Sequence, residues 1–208
     1  MNRTKVLLGY CLLVITLLFA VEAWLPVEYI YKIVLKVILI LLPLFWMSAD
    51  FFARPDIRKL KIAVALGGLS VIFIQAAYAL LHPYVDFEQI KALLAERQRI
   101  DASNFVAIAI YVLIGNSILE ELLFRGFIVN SGVRHPWIIS SGLFAFYHLT
   151  ILIGWFPWWV LVFSLLVLFV GGLMFCWLNG ARKSLWNSWV MHICADISLL
   201  AIGVKIFF

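Results

Sequence analysis

Residues 157–178 read PWWVLVFSLLVLFVGGLMFCWL, a run of 22 residues without a single charged side chain. About 20 consecutive apolar residues are enough for an α-helix to cross a lipid bilayer. The run is continuous rather than alternating between apolar and polar residues, which favours a helix over a strand of a membrane barrel. A helix also satisfies every backbone N–H and C=O group within one segment, as the hydrocarbon core requires.

Similar runs recur along the whole chain of 208 residues. Hydrophobic residues make up 65% of the sequence and charged residues 13%, against roughly 45–50% and about 25% in soluble domains. This composition excludes an ordinary soluble enzyme and a disordered chain. We therefore expect an all-α, polytopic transmembrane helical bundle with about seven spans. The predicted spans are residues 6–25, 30–53, 62–81, 104–129, 137–153, 157–178 and 185–207.

The chain divides into two parts by what its segments contain. Residues 1–103 hold the first three predicted spans and a charged stretch at about 86–100, whose apolar residues recur at helical spacing. Such a stretch is typical of an amphipathic helix that lies in the membrane interface. Residues 104–208 hold the last four spans. The first span follows Arg3 and Lys5, as in a signal peptide, but its length and the lack of a small-residue cleavage site favour a retained helix.

The distribution of basic residues predicts the orientation of the bundle. The net charge is +5, and in a membrane protein a basic excess marks cytoplasmic loops rather than nucleic-acid binding. With the N-terminus inside, the inner segments hold Arg3, Lys5, Arg54, Arg58, Lys59, Lys61, Arg125, Arg134, Arg182 and Lys183. The outer segments hold Lys91, Arg97, Arg99 and Lys205, while Lys32 and Lys36 lie within the second span, towards its outer end. We expect an N-in, C-out protein of the bacterial cytoplasmic (inner) membrane.

Ionisable residues inside the predicted spans are the first functional signal. Each costs at least ~2.5–3.5 kcal/mol at the centre of a membrane helix, so it marks a functional site by default. The fourth span reads NSILEELLFRG at residues 116–126. Glu121 and Arg125 are spaced i,i+4 and can pair on one face, whereas Glu120 points about 100° away, onto the face of Asn116. We predict that Glu121 is neutralised and that Glu120 is left free to act as a general base.

The fifth and seventh spans carry the other buried ionisable groups, which are His148, His192 and Asp196. Asp196 follows His192 at i,i+4, so it can hold the tautomer of the imidazole, or both can face a common ligand. At 1.5 Å per residue from the predicted inner helix ends, Glu120 lies at a depth of ~14 Å and His148 at ~16 Å. On the same scale, His192 lies at ~10 Å and Asp196 at ~16 Å. This agreement predicts a shared site in the inner half of the bilayer.

Three motifs on separate spans resemble those of the CAAX protease and bacteriocin-processing family. The family is also called the ABI family of glutamic-type intramembrane proteases, and the type II CAAX prenyl endopeptidase typifies it. The motifs are Glu120-Glu121-x-x-x-Arg125, Phe144-x-x-x-His148 and His192-x-x-x-Asp196. The resemblance covers roughly residues 104–208, and the first three spans show nothing that matches. It implies a membrane-embedded peptidase with a catalytic four-helix core.

The resemblance also implies a role for each motif. Glu120 is expected to activate the attacking water, and His148 to hold or polarise that water. His192, together with residue 196, is expected to stabilise the tetrahedral oxyanion. We expect supporting roles for Glu121, Arg125, Asn116 and Phe144.

The chain departs from the better-known members at one position. They carry Asn where this chain carries Asp196, and many bacterial relatives resemble this chain in carrying Asp. An ionised carboxylate would repel an oxyanion. Either Asp196 is therefore protonated, or it orients and charges His192 so that the imidazolium stabilises the oxyanion. We expect the second arrangement.

A metal-dependent mechanism is the chemical alternative. Two His and two carboxylates could ligate Zn²⁺ and leave a position open for water. The sequence lacks the His-Glu-x-x-His helix of common zinc peptidases. Cys11, Cys176 and Cys194 lie inside apolar runs without metal-ligand spacing. We expect glutamate-activated water and no cofactor.

These observations predict an intramembrane endopeptidase whose partners are the lipid bilayer and a membrane-associated peptide or protein, with no nucleic acid. Prenylated C-termini, bacteriocin leaders and C-terminal anchor or sorting signals are the substrate classes that the resemblance implies. Two other function classes stay open. Buried Glu, His and Asp also form the proton relays of ion-coupled transporters, although the chain shows no inverted repeat. A non-catalytic immunity or scaffold protein would retain the motifs for packing alone.

Overall fold

The computed structural model describes residues 3–25, 27–45, 50–180 and 184–208. Within these ranges the chain forms helices and no strand, which confirms the all-α prediction. Arg182 and Lys183, which entered the orientation argument, lie outside the described residues. The helices are α1 (Arg3–Trp24), α2 (Tyr29–Leu41), α3 (Ile57–Leu81), α4 (Phe87–Gln98), α5 (Phe105–Ile128), α6 (Pro136–Leu152), α7 (Trp158–Asn179) and α8 (Trp186–Phe207).

Helices α1, α3, α5, α7 and α8 are long and apolar enough to cross a membrane. Helix α6 is a shorter apolar helix of 17 residues. The chain is therefore an integral membrane protein. Together with α2, these helices account for all seven predicted apolar segments.

The second predicted span, residues 30–53, differs from the expectation. Helix α2 ends at Leu41 after 13 residues, which is shorter than the ~20 residues of a full span. Pro43 explains this end, because proline has no N–H to donate to the carbonyl of Leu39, four residues earlier. The phenol of Tyr10, on α1, donates to that carbonyl instead at 2.6 Å. A side chain of the neighbouring helix thus satisfies the carbonyl group that loses its helical partner at the end of α2.

The amphipathic stretch predicted at about 86–100 folds as α4. Asp86 caps its N-terminus, because the carboxylate accepts a hydrogen bond from the backbone N–H of Gln89 at 2.9 Å. Helix α4 buries Ile90 and Gln98. Lys32 on α2 donates to the side-chain carbonyl of Gln98 at 2.8 Å. This contact attaches α4 to the bundle.

Helix α5 is the centre of the bundle. All eight residues from Glu121 to Ile128, at its C-terminal end, are buried. A helix at the edge of a bundle would bury only one face. Helices α1, α2, α6 and α8 all contact α5, so charged groups on α5 must find their partners inside the protein.

Small residues allow two helix pairs to approach closely. Helix α3 lies against α8 at Gly67, where an added Cβ atom would come within 2.9 Å of the Cβ of Cys194. Helix α6 lies against α7 at Gly172, where an added Cβ would lie 2.9 Å from the Cβ of Ser141 and 3.0 Å from its Cα. Because α6 also carries His148, the second contact helps to fix the position of that side chain.

We predict that Gly172→Ala lowers the thermal stability of the purified protein, because the added methyl group forces α6 and α7 apart at a cost of about 1–3 kcal/mol. Gly171→Ala is the matched control, since an added Cβ there meets nothing within 4 Å. It should leave the melting temperature unchanged or slightly raised, as Ala favours helix over Gly. Equal melting temperatures for the two variants would contradict the close packing at Gly172.

Candidate active site

Glu120 lies at an irregular part of α5. The segments Tyr111–Asn116 and Glu121–Ile128 are π-helical, and a single α-helical turn, Ser117–Glu120, separates them. Wider π turns inside α-helices are frequently found at functional sites. Here the α-helical turn ends at Glu120 and the second π-helical segment begins at Glu121, and these two adjacent buried carboxylates make different contacts.

One oxygen of Glu120 is held by two donors. Its Oε1 accepts hydrogen bonds from Nδ2 of Asn116 at 2.8 Å and from Nζ of Lys36 at 3.0 Å. Lys36 also donates to Oδ1 of Asn116. Glu120 and Asn116 lie on the same face of α5, as predicted. The prediction that Glu120 is left free is wrong, because Lys36 binds it. A buried carboxylate requires a counter-charge, and here the counter-charge comes from α2.

The other oxygen of Glu120 faces two imidazole rings. Its Oε2 lies 3.7 Å from Nε2 of His148 and 3.8 Å from Nε2 of His192. These separations are too long for direct hydrogen bonds. They suit one small molecule that bridges the carboxylate and a ring. The structure thus brings together acidic and imidazole groups from α5, α6 and α8.

A backbone contact orients the ring of His148. Its Nδ1 lies 2.8 Å from the carbonyl oxygen of Phe144. Because a carbonyl only accepts, Nδ1 carries the proton. In the neutral ring, the lone pair of Nε2 therefore faces Glu120. The motif spacing from Phe144 to His148 thus has a direct structural meaning, since one helical turn joins the carbonyl to the ring.

Glu121, rather than Asp196, orients the ring of His192. Nδ1 of His192 lies 2.9 Å from Oε1 of Glu121, and Phe175 stacks on the ring with 5.1 Å between centroids. Asp196 lies on the other side, with Oδ2 3.8 Å from Nε2 of His192. The expectation that Asp196 orients His192 is therefore wrong. The carboxylate of Glu121 accepts the hydrogen bond of Nδ1, and this bond fixes the orientation of the ring.

The predicted pair of Glu121 and Arg125 is present. Their Oε1 and NH1 atoms lie 3.3 Å apart, and both side chains are buried. The guanidinium carbon lies 4.2 Å from the centroid of Phe144 and 4.8 Å from that of Phe175, within the range of cation–π contacts. The hydroxyl of Ser188 donates to the second oxygen of Glu121. Glu121 therefore forms its ion pair within α5 and joins α5 to α8 through two contacts, with Ser188 and His192.

Three residues at the site escaped the sequence analysis. Lys36 was assigned only to the charge count, although a lysine within a membrane segment is itself a functional signal. Ser188 precedes His192 by four residues and so shares its helix face, a spacing that the sequence displays. Phe175 offered no such signal, because α7 is apolar along its whole length and aromatic residues recur along it.

The geometry bears on the zinc alternative. Among the residues that the structure describes, no group of three or more His, Cys, Asp or Glu side chains is arranged to hold a metal ion. Ligands that share Zn²⁺ at ~2.0–2.1 Å lie about 3.4 Å apart in a tetrahedral site. The oxygen of Glu120 lies 3.7 Å from His148 and 3.8 Å from His192. The donor types would suit zinc, but their spacing is wider than a shared ion requires.

The comparisons with known proteins point to one family. Residues 102–198 match the family model described as Rce1-like, type II CAAX prenyl endopeptidase Rce1-like. The matched range includes all three motifs and confirms the resemblance predicted from them. No curated protein and no solved structure gave a match to the chain.

We predict that Glu121→Gln lowers the free energy of unfolding by roughly 3–5 kcal/mol, because Arg125 then stays buried without its counter-charge. Denaturant titration in detergent, followed by circular dichroism, measures this loss. Ser188→Ala is the matched control, since it removes one hydrogen bond to the same carboxylate and leaves the ion pair intact. Its loss should be clearly smaller. Equal losses would show that the ion pair is not the main stabilising contact of Glu121.

Proposed function

We propose that this chain, whose residues 102–198 match the Rce1-like family model of type II CAAX prenyl endopeptidases, is an intramembrane endopeptidase of the glutamic type. It hydrolyses a peptide bond of a membrane-associated protein or peptide by means of water that a glutamate activates. The family match supports a protease at the level of the family. The contacts of four side chains on α5, α6 and α8 support the proposed mechanism.

The single observation that carries the proposal is the position of Oε2 of Glu120, 3.7 Å from Nε2 of His148 and 3.8 Å from Nε2 of His192. A water molecule with hydrogen bonds of about 2.8 Å can bridge Glu120 and His148 at this separation. It then donates one proton to the carboxylate and one to the Nε2 lone pair of His148. Its own lone pairs are left to attack a carbonyl carbon, which makes Glu120 the general base.

The reaction proceeds in two steps with balanced atoms. In the first step, the water oxygen bonds to the scissile carbonyl carbon, one water proton passes to Glu120, and the carbonyl oxygen becomes an oxyanion. In the second step, the oxyanion collapses and the C–N bond breaks. Glu120 then gives its proton to the leaving amine. The products are a carboxylic acid and an amine, and Glu120 returns to its starting state.

The oxyanion requires preorganised hydrogen-bond donors, because it is the costly species in amide hydrolysis. We assign this role to Nε2–H of His192 in its doubly protonated form, since Glu121 already holds Nδ1. Asp196 lies beside the same nitrogen at 3.8 Å. In its protonated form its carboxyl group serves as a second donor, which replaces our initial expectation that it orients the ring.

The proposed substrate is a chain whose scissile bond enters from the inner half of the bilayer. A prenylated C-terminus, a bacteriocin leader and a C-terminal anchor or sorting signal all present such a bond at a membrane surface. The proposed location is the cytoplasmic membrane of a bacterium, with the N-terminus inside. No metal takes part in the proposed steps.

We predict that Glu120→Gln and His148→Ala each lower the rate of peptide cleavage by at least ~100-fold, because each removes a group that handles the water proton. The measurement uses purified protein in nanodiscs and a library of membrane-anchored peptides, with products identified by mass spectrometry. Glu22→Gln is the matched control. Glu22 is also a carboxylate paired with a lysine of α2, Lys32, at 3.2 Å, but it lies outside the site and its variant should cleave normally.

The same assay separates the alternatives. Cleavage by Glu120→Gln at near the wild-type rate would overturn the proposed mechanism. Proton flux into liposomes without any cleavage would favour a transporter, and a cellular phenotype that survives Glu120→Gln would favour a scaffold. Cleavage that persists after exhaustive chelation supports the metal-free mechanism, whereas loss that zinc restores contradicts it.

We predict that Asp196→Asn retains activity within about tenfold of the wild type, because the amide N–H can replace the carboxyl O–H as a donor to the oxyanion. Asp196→Leu, which keeps the branching at Cγ but has no hydrogen-bond donor, should lose at least ~100-fold. Both variants are compared by kcat in the nanodisc assay. Abolished activity in a folded Asp196→Asn protein would contradict the donor role and assign a proton transfer to the acid.

A further inference from the structure

Helix α2 buries two lysines one turn apart. Lys32 and Lys36 are 3% and 7% exposed, and each ends at a carboxylate. The Nζ atom of Lys32 lies 3.2 Å from Glu22, and that of Lys36 lies 3.0 Å from Glu120. A buried ammonium group requires such a partner. The two pairs differ in where they lie, because Glu120 belongs to the candidate active site and Glu22 does not.

Lys36 joins three helices at the site. Its ammonium group donates to Glu120 and Asn116 on α5, and it lies 4.9 Å from the ring centroid of Tyr147 on α6. Asn116 donates to the same oxygen of Glu120. Two donors on Oε1 fix the plane of the carboxylate, because its two oxygens and carbon are rigidly joined. The second oxygen, Oε2, is thereby turned towards His148 and His192.

We propose that Lys36 is a positioning residue for Glu120: it holds Oε1 so that Oε2 presents its lone pairs to the bridging water. The inference rests on the proposed function, since it assigns Glu120 as the base. Lys36 lies outside residues 102–198, which match the family model. The region that carries the three motifs therefore does not contain the whole site, and the N-terminal helices supply part of it.

Lys32 provides a matched control on the same helix. It is a lysine of similar burial, one turn away, and it is paired with a carboxylate. Its other partners are the side chain of Gln98 at 2.8 Å and the backbone carbonyl of Arg97 at 3.1 Å. Lys32 therefore holds α2 to α1 and α4, and its contacts include none of the predicted site residues. A variant that lacks the Lys32 ammonium group therefore shows how far general damage to α2 lowers the activity.

The first experiment measures kcat and KM for Lys36→Met and Lys32→Met in nanodiscs, with rates normalised to the folded fraction from size-exclusion chromatography. We expect Lys36→Met to lower kcat by about 100-fold, because a misplaced base slows the chemical step, while KM changes by less than about threefold. Lys36→Arg, which restores the cation, should recover at least ~10-fold of the loss. Lys32→Met should keep the wild-type kcat. If Lys36→Met does not fold, Lys36→Gln is measured in its place.

The second experiment needs no catalysis. A double-mutant cycle compares the melting temperatures of Lys36→Met, Glu120→Gln and the double variant. Because the two groups are in contact, the double variant should lose less than the sum of the single losses. Coupling together with a loss in kcat supports the proposal. Additive losses, or a kcat for folded Lys36→Met within threefold of the wild type, overturn it.

The two experiments also separate this inference from the proposed function. If the wild type cleaves and Glu120→Gln does not, the proposed function stands, whatever Lys36→Met does. If the wild type cleaves no peptide, the proposed function fails and the positioning role fails with it. In that case the melting-temperature cycle still decides whether Lys36 and Glu120 form an ion pair.

Discussion

Two adjacent carboxylates buried at the centre of a membrane bundle set the constraint on which this structure depends. A charge of this kind in an apolar interior is costly unless an opposite charge and hydrogen bonds accompany it. Glu121 meets the constraint within its own helix through Arg125, one turn away. Glu120 meets it across helices through Lys36 on α2. The approach of α2 to α5 therefore gives Glu120 its ammonium partner, which lies 3.0 Å from Oε1.

The two carboxylates have different roles, because the oxygens of Glu120 and those of Glu121 have different neighbours. Both oxygens of Glu121 are engaged, one near Arg125 and His192 and the other with Ser188. Only one oxygen of Glu120 is engaged in this way, and the other faces the imidazole rings. A fully engaged carboxylate stabilises its surroundings. A carboxylate with one oxygen held in a fixed position is suited to act on a small molecule, because its orientation is set before the molecule binds.

Helix geometry places these side chains. The π-helical segment Glu121–Ile128 is buried all round, so its wider turns lie in protein. The segment Tyr111–Asn116, on the other side of Glu120, contains no fully buried residue. Helix α2 is short because of Pro43, and a side chain of α1 satisfies the carbonyl that the proline leaves open. The contact of Gly172 with Ser141 brings α7 against the helix that carries His148. Backbone irregularities and small residues thus set the positions of the helices that carry the site residues.

The sequence by itself determined the helical membrane fold, since long uncharged runs have one stable form in lipid. It also determined the three motifs and the pair of Glu121 and Arg125, because contacts at i,i+4 follow from helix periodicity. Only the tertiary structure decided that Lys36 binds Glu120 and that Glu121, rather than Asp196, holds His192. The first contact joins two residues that are 84 positions apart in the sequence, and the second joins two that are 71 positions apart. Periodicity cannot specify them, because they depend on how neighbouring helices are rotated and how closely they pack.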